Sequence, residues 1–336
     1  MKKKINSLLQ YAFFLGLAIF LVWWSLSKIS DQHWEEMKTA MRETNYWLLI
    51  PVAIALLVSH LSRAIRWKIL MEPLGYKPSL INTYLAVLIG YFANQGVPRL
   101  GEVLKCTILS RYEKVPADKL IGTIVAERAF DLVCLLLVFA ITFFSQLSTI
   151  GQFAGELFNK LIYGDAEAGG NNGLYIGLGI ALFLLLLLWW LTRRFAESTI
   201  IKKTKAVLGG IWQGINSIRH LKNKGWFLFH SFLIWFLYLA SIRIGFYAME
   251  PTSMYGWLPS FSVLSLGSVG MIVTPGGMGA YPILVQQTMS LYGLSEGIGN
   301  AFGYILWLAQ FVLVLVAGAV SLVLLPVLNR KKQNKP

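Results

Sequence analysis

The sequence predicts an all-α polytopic membrane protein. About eight long transmembrane helices, plus two short broken or re-entrant helices in a pseudo-inverted repeat, form a single domain over residues 1–336. Three observations carry this reading. Hydrophobic residues make up 56 % of the chain and charged residues 14 %, whereas a soluble domain carries about 25 % charged residues. The apolar residues fall into runs of about 20 with few charges, the length a helix needs to cross a hydrocarbon core of about 30 Å. The net charge of +14 sits mostly in short segments between these runs. That is how a membrane protein marks its cytoplasmic side, and not how a nucleic-acid surface is laid out. Soluble enzyme, disordered chain and collagen-like fibre are excluded on composition. Cys106 and Cys134 both lie in apolar stretches, which predicts neither a disulfide nor a cysteine metal site.

The long spans fall at 7–28, 44–62, 79–97, 119–146, 173–192, 226–248, 257–275 and 300–328. Lys2, Lys3 and Lys4 precede the first and place the N-terminus in the cytoplasm. No small-residue cleavage site follows, which predicts a retained helix. Residues 29–43, with Asp31, Glu35, Glu36 and Glu43, read as an external connection. After the second span, Arg63, Arg66, Lys68 and Lys77 mark an internal one. Ser59, Arg63 and Arg66 share a helical face there and fit either contacts to inner-leaflet phosphates or a positive flank.

The span 79–97 is followed by a short piece, 98–113, that opens at Pro98; as a helix it reaches about 24 Å, short of a full crossing. The connection 147–172, with Glu156, Asp165 and Glu167 against Lys160, is external, and its Gly/Asn-rich stretch 164–173 reads as a mobile loop. The segment 193–225 carries eight Lys/Arg against Glu197 and is internal. Within it, 199–224 has apolar residues at helical spacing, among them Val207, Ile211, Ile215 and Ile218. This is an amphipathic helix on the cytoplasmic leaflet, or a linker helix packed on the bundle. Arg243, near the outer end of its span, reads as snorkelling to the interface. A second short piece, 276–292, follows Pro275 and places Glu296 outside; Arg330, Lys331, Lys332 and Lys335 place the C-terminus in the cytoplasm.

The two broken units, 79–146 and 257–328, share one pattern: apolar helix, proline–glycine break, short helix, acidic turn, apolar helix. An offset of 178 residues aligns Gly101 with Gly279 and Asp118 with Glu296, and the charge map gives the copies opposite orientations. Inverted interrupted helices point to a secondary-transporter site near the midplane.

Charges at membrane depth cost several kcal/mol each and persist when paired or when a wet cavity needs them. The first unit holds six: Arg99, Glu102 and Lys105 on the short helix, and Glu127, Arg128 and Asp131 on the next span. Three cations and three carboxylates on adjacent helices invite cross-pairing. A phosphate would find Arg99, Lys105 and the free N–H groups of a helix N-terminus. Arg128 would complete the clamp, with the carboxylates holding the cations or carrying protons. The competing account is an ion-paired network that only locks two helices. The second unit offers backbone instead. Pro275, Gly276, Gly277 and Gly279 would let a helix end approach a ligand closely, or pack helices tightly. Asn94, just before the first break, is a further candidate. His33, His60, His220 and His230 are scattered without metal-ligand spacing.

The stretches Ser62-Arg63-Ala64-Ile65-Arg66-Trp67, Asn94-Gln95-Gly96-Val97-Pro98-Arg99-Leu100-Gly101-Glu102, Ala126-Glu127-Arg128-Ala129-Phe130-Asp131 and Thr274-Pro275-Gly276-Gly277-Met278-Gly279 resemble the lysylphosphatidylglycerol synthase transmembrane region, or flippase-like, family. The resemblance spans about residues 8–328 and implies a multi-helix inner-membrane protein that moves lipids between leaflets. In the name-giving members the lipid is aminoacylated phosphatidylglycerol; relatives are linked to hopanoid or polyprenyl-linked lipids. By position the family pattern marks Asn94, Pro98, Arg99, Gly101, Glu102, Glu127, Arg128, Asp131, Pro275 and Gly276. Name-giving members continue into a soluble aminoacyltransferase domain, whereas this sequence ends at Pro336. The expectation is therefore a non-enzymatic transporter of an anionic phospholipid or polyprenyl-linked lipid, without cofactor or metal. An intramembrane lipid-modifying enzyme using Glu127 or Asp131 is the alternative, although no Mg²⁺, Zn²⁺ or nucleophile motif is present. A partner of a cell-envelope enzyme, or a homo-oligomer, is the third reading.

Overall fold

The computed structural model describes residues 16, 19–24, 26, 27, 29–97, 99–146, 209, 216, 218, 219 and 221–333. Pro98, the loop 147–172, the span 173–192, and most of the first span and of the 199–224 segment lie outside these residues. The described chain is helical, with no strand. Its helices are α1 (Asp31–Glu43), α2 (Leu49–Met71), α3 (Leu80–Gly96), α4 (Leu100–Glu113), α5 (Ala117–Ser145), α6 (Lys224–Tyr247), α7 (Trp257–Val273), α8 (Ala280–Ser290) and α9 (Glu296–Gln333). Three stretches, Tyr46–Leu74, Lys224–Tyr247 and Glu296–Arg330, are long and apolar enough to cross a membrane. α7 is equally apolar but has 17 residues. α5 has 29 residues and carries Glu127, Arg128 and Asp131. This is a multi-pass helical membrane protein.

Two boundaries differ from expectation. The expected connection at 29–43 contains α1. The Ser30 hydroxyl caps it, accepting from the His33 N–H at 3.3 Å, and Met37 and Ala40 bury against the bundle. Trp34, Met37 and Met41 recur at helical spacing, a short amphipathic signal outweighed by the acidic residues around it. The second difference matters more: α2 continues to Met71, so Arg63 and Arg66 stand within a helix and not in a connection.

Side-chain contacts fix the topology. α6 runs antiparallel to α2, with Asn45 beside Ala248, Ser62 beside His230 and Glu72 beside Asn223. α5 runs antiparallel to α7, joined at Gln146–Ser262 and Thr142–Ser265. α9 runs beside α3 from the Asn329–Asn82 pair to the Gly318–Phe92 contact.

α3/α4 and α7/α8 form two helical hairpins. In the first, Gly90 and Gly101 pack backbone to backbone; a Cβ on Gly101 would land on the Gly90 carbonyl. In the second, Gly270 meets the Tyr281 backbone in the same way. Small residues at such crossings let helices approach closely enough for van der Waals contact to hold them in lipid. The hairpin tips touch. Gly276, at φ 58°, lies against the Gln95 side chain, and its carbonyl accepts from the Trp307 indole N–H at 2.8 Å. Trp307 and Gly318 bracket the middle of α9, so the tips meet beside the middle of that helix.

Candidate functional site

Where the tips meet, α2, α4 and α5 bring charged side chains together. Asp131 is the midpoint of α5, and Glu127 stands one turn before it. Arg63 Nη1 donates to Asp131 Oδ2 at 2.5 Å and to Glu127 Oε1 at 2.9 Å. Arg66 Nη2 donates to Asp131 Oδ1 at 2.6 Å and lies 3.5 Å from Glu127 Oε1. Lys105 Nζ reaches Glu127 Oε2 at 3.1 Å and sits 4.6 Å from the Trp67 ring centroid. Arg66 and Glu127 are 0 % and 1 % exposed. At such depth bare charges are too costly, and here three cations share two carboxylates, so that each has at least one opposite charge within reach.

A second pair lies beside the first. Arg128 Nε donates to Glu102 Oε1 at 2.9 Å, and both side chains are partly exposed. The expected cross-pairing of α4 with α5 is therefore made twice and reciprocally, Lys105 to Glu127 and Arg128 to Glu102. The cluster among the described residues holds four cations, Arg63, Arg66, Lys105 and Arg128, against three carboxylates, Glu102, Glu127 and Asp131. The balance of three and three expected from the sequence is replaced by a single positive excess.

The cluster opens on a cavity of about 420 Å³ between α5 and the pair α6/α7, within the size range of small-molecule sites. Arg63, Arg128 and Asp131 form its charged wall. Tyr91, Trp235, Tyr238 and Tyr281 line it further, and the remaining wall is largely aliphatic. The Trp235 indole N–H is buried without a hydrogen-bond partner among the described residues. Behind the cluster, Glu102, Lys105, Glu127 and Arg128 enclose a chamber of about 10 Å³ with Asn94 and Tyr91, roughly the volume one water needs.

Several expectations change here. Arg99 does not join the cluster. It is exposed, sits at φ 66° in the turn between α3 and α4, and makes no ion pair with a described residue. Asn94 is a cap and not a wall of the main cavity: its Oδ1 accepts the Gly101 N–H at 2.8 Å. With the Leu100 N–H on the Val97 carbonyl at 3.2 Å, the first two donors of α4 are occupied and not open to a phosphate. Asn94→Ala is expected to lower stability by about 1 kcal/mol, as loss of a helix cap does, measured by thermal unfolding in detergent.

Pro275, Gly276, Gly277 and Gly279 do not line the cavity either. The three glycines take φ of 58°, 72° and 73° and shape the hairpin tip, while Met271, Ile272 and Tyr281 of the same hairpin reach the cavity. Arg63 and Arg66, which the sequence fits to inner-leaflet phosphates or to a positive flank, are core members of the cluster. Their spacing of three residues, which puts both on one face of a long apolar helix, is the available signal. Arg243 lies over the Tyr247 ring at 4.0 Å, hydrogen-bonded to its hydroxyl.

The family model for the lysylphosphatidylglycerol synthase TM region matches residues 8–329. A UPF0104 membrane protein of Methanocaldococcus jannaschii is 24 % identical over 366 aligned positions, covering 99 % of this chain and 98 % of that protein. No solved structure matches the chain.

Proposed function

The chain belongs to the lysylphosphatidylglycerol synthase TM region family, and from that premise we propose that it carries an anionic, phosphate-bearing membrane lipid between leaflets, with the headgroup held at Arg128. The observation that supports this is Arg128, a partly exposed cation on the cavity wall, beside a buried group in which three cations share two carboxylates. Of the four cations, Arg128 alone is exposed, and its partner Glu102 is itself partly exposed. Arg63, Arg66 and Lys105 are held by Glu127 and Asp131. A phosphate oxygen reaching Arg128 would offset the excess and gain a planar guanidinium match.

On this reading the architecture is the expected one of about eight long spans, with the α3/α4 and α7/α8 hairpins as an inverted pair reaching in from opposite faces. The protein sits in the inner membrane with both termini cytoplasmic. Its substrate is a phospholipid or a polyprenyl-linked lipid. It acts without catalysis of its own, alone, as copies or beside an envelope enzyme. The ion pairs on Glu127 and Asp131 weigh against either serving as an acid or base, because each carboxylate is already engaged by two or more cations.

The test is leaflet exchange of fluorescent lipids in vesicles, read by chemical quenching of the outer leaflet. The wild type is expected to speed crossing of labelled phosphatidylglycerol over labelled phosphatidylcholine. Arg128→Gln is expected to slow it by about tenfold or more, the loss of one charge-assisted hydrogen bond of roughly 1.5–3 kcal/mol. Its melting temperature should hold, since the pair is partly exposed. Equal rates for Arg128→Gln and wild type would overturn the headgroup assignment.

A further inference from the structure

We infer that the cavity is filled from the side: an acyl chain of the anionic lipid lies in a membrane-facing slot between α5 and α7, below a polar clamp that closes the slot at the α1 end. The inference rests on the headgroup reading above and adds the route and the position of the tail.

Five side chains make the clamp. Gln146 Nε2 donates to Ser262 Oγ at 2.5 Å and to the Leu258 carbonyl at 3.3 Å. The Tyr292 hydroxyl donates to Gln146 Oε1 and lies 2.9 Å from Ser262 Oγ. One turn further along, Thr142 and Ser265 hydroxyls meet at 3.3 Å. In hydrocarbon such groups hold helices together because each would otherwise lose its partner.

The bonding then stops. The next hydroxyl on α7, Ser268, turns back to its own helix and donates to the Leu264 carbonyl at 2.6 Å. No further hydrogen bond joins α5 to α7 among the described residues. At that level the facing residues are Leu132 and Leu135 on α5 and Ser268 and Ile272 on α7, and all four line the cavity. Leu132 and Ile272 also keep 38 % and 71 % of their surface exposed. Residues that line the cavity and still keep this much surface free mark where it opens sideways between α5 and α7. An opening with aliphatic lips faces lipid and not water.

Two features select the occupant. The slot is continuous with the wall carrying Arg128, one helical turn from Leu132 on α5. Its apolar lips would not favour a free hydrated anion, which would leave its water without replacement. An amphiphile satisfies both ends, with phosphate on Arg128 and a hydrocarbon chain running out past Leu132, Leu135 and Ile272. The cavity is small for a whole two-chain lipid, which the open side accommodates.

The test places a photoreactive benzophenone residue at Leu135 of the full chain in vesicles of phosphatidylcholine with a minority of phosphatidylglycerol. A second variant carries it at Ile272, in case Leu135 does not tolerate the change. A control carries it at Leu322, exposed on α9. Lipid adducts at Leu135 and Ile272 are expected to be about tenfold enriched in phosphatidylglycerol, the ratio that 1.4 kcal/mol of preference gives. Adducts at Leu322 should follow the bulk composition. Adding Arg128→Gln should remove the enrichment, and added inorganic phosphate should not displace the lipid. Adducts at bulk composition, or enrichment that ignores Arg128, would overturn the slot. So would loss of adducts to phosphate, which would point to a soluble anion. Absence of adducts while leaflet exchange still depends on Arg128 would reject the slot and leave the headgroup site standing.

Discussion

Asp131→Asn is expected to destabilise the protein by about 3–5 kcal/mol, the cost of breaking a buried ion pair by removing one partner. The change keeps the shape of the side chain and removes its charge. Arg63 and Arg66, 6 % and 0 % exposed, would then share Glu127 with Lys105, and one carboxylate would face three buried cations. Neither arginine can answer by losing its proton at accessible pH. Each also has a buried Nε without a partner among the described residues, so the cluster has no spare acceptor. Thermal unfolding in detergent should show the loss. Arg66→Leu combined with Asp131→Leu should recover much of it, because replacing both members of a buried pair by apolar groups is often neutral. A drop of under about 1 kcal/mol for Asp131→Asn, the scale of an exposed pair, would mean that water reaches the cluster and screens it.

Why the sequence leads to α5 and not to the arginines that complete the cluster follows from the same chemistry. Glu127, Arg128 and Asp131 stand in the middle of an apolar run, where their cost in lipid announces them. Arg63 and Arg66 stand near the end of α2, followed by Lys68 and Lys77, where a positive flank explains them equally well. Their carboxylate partners lie 61 to 68 positions away, and no local period links residues so far apart.

The break residues are legible for one reason and misleading for another. Pro275 and the glycines mark a place where the helix cannot continue. They do not say what comes close to the backbone there. Here it is Gln95 of the other hairpin and Trp307 of α9. Asn94 behaves alike: a polar residue before a break reads as a site residue, yet its partner is the Gly101 N–H across the turn. Helix limits are more legible, because apolar period and flanking charge act locally; α3, α6 and α7 end within two residues of where hydropathy places them.

Exchanging the partly exposed pair, Glu102→Arg with Arg128→Glu, is expected to leave the protein folded and to abolish lipid crossing. The exchange preserves the attraction between the two positions and the net charge of the cluster. What it alters is which side of the pair faces the cavity. Position 128 lines both the cavity and the small chamber behind it, whereas position 102 lines only the chamber. The swapped cation would therefore sit beside Lys105 in a space fit for about one water, and the cavity would meet a carboxylate instead. A phosphate entering it would be repelled by the group now at position 128. The exchange also creates like-charge neighbours: an arginine at position 102 one turn from Lys105, and a glutamate at position 128 next to Glu127. Such neighbours cost a few tenths of a kcal/mol on an open helix face and more here, because Lys105 and Glu127 are buried. Unfolding and leaflet exchange measured on the same preparation separate the two roles. Normal folding with lost exchange means the cation acts on the lipid. Normal exchange by the swapped protein means that Arg128 serves only to hold Glu102, and the excess charge would then need another anion to answer it.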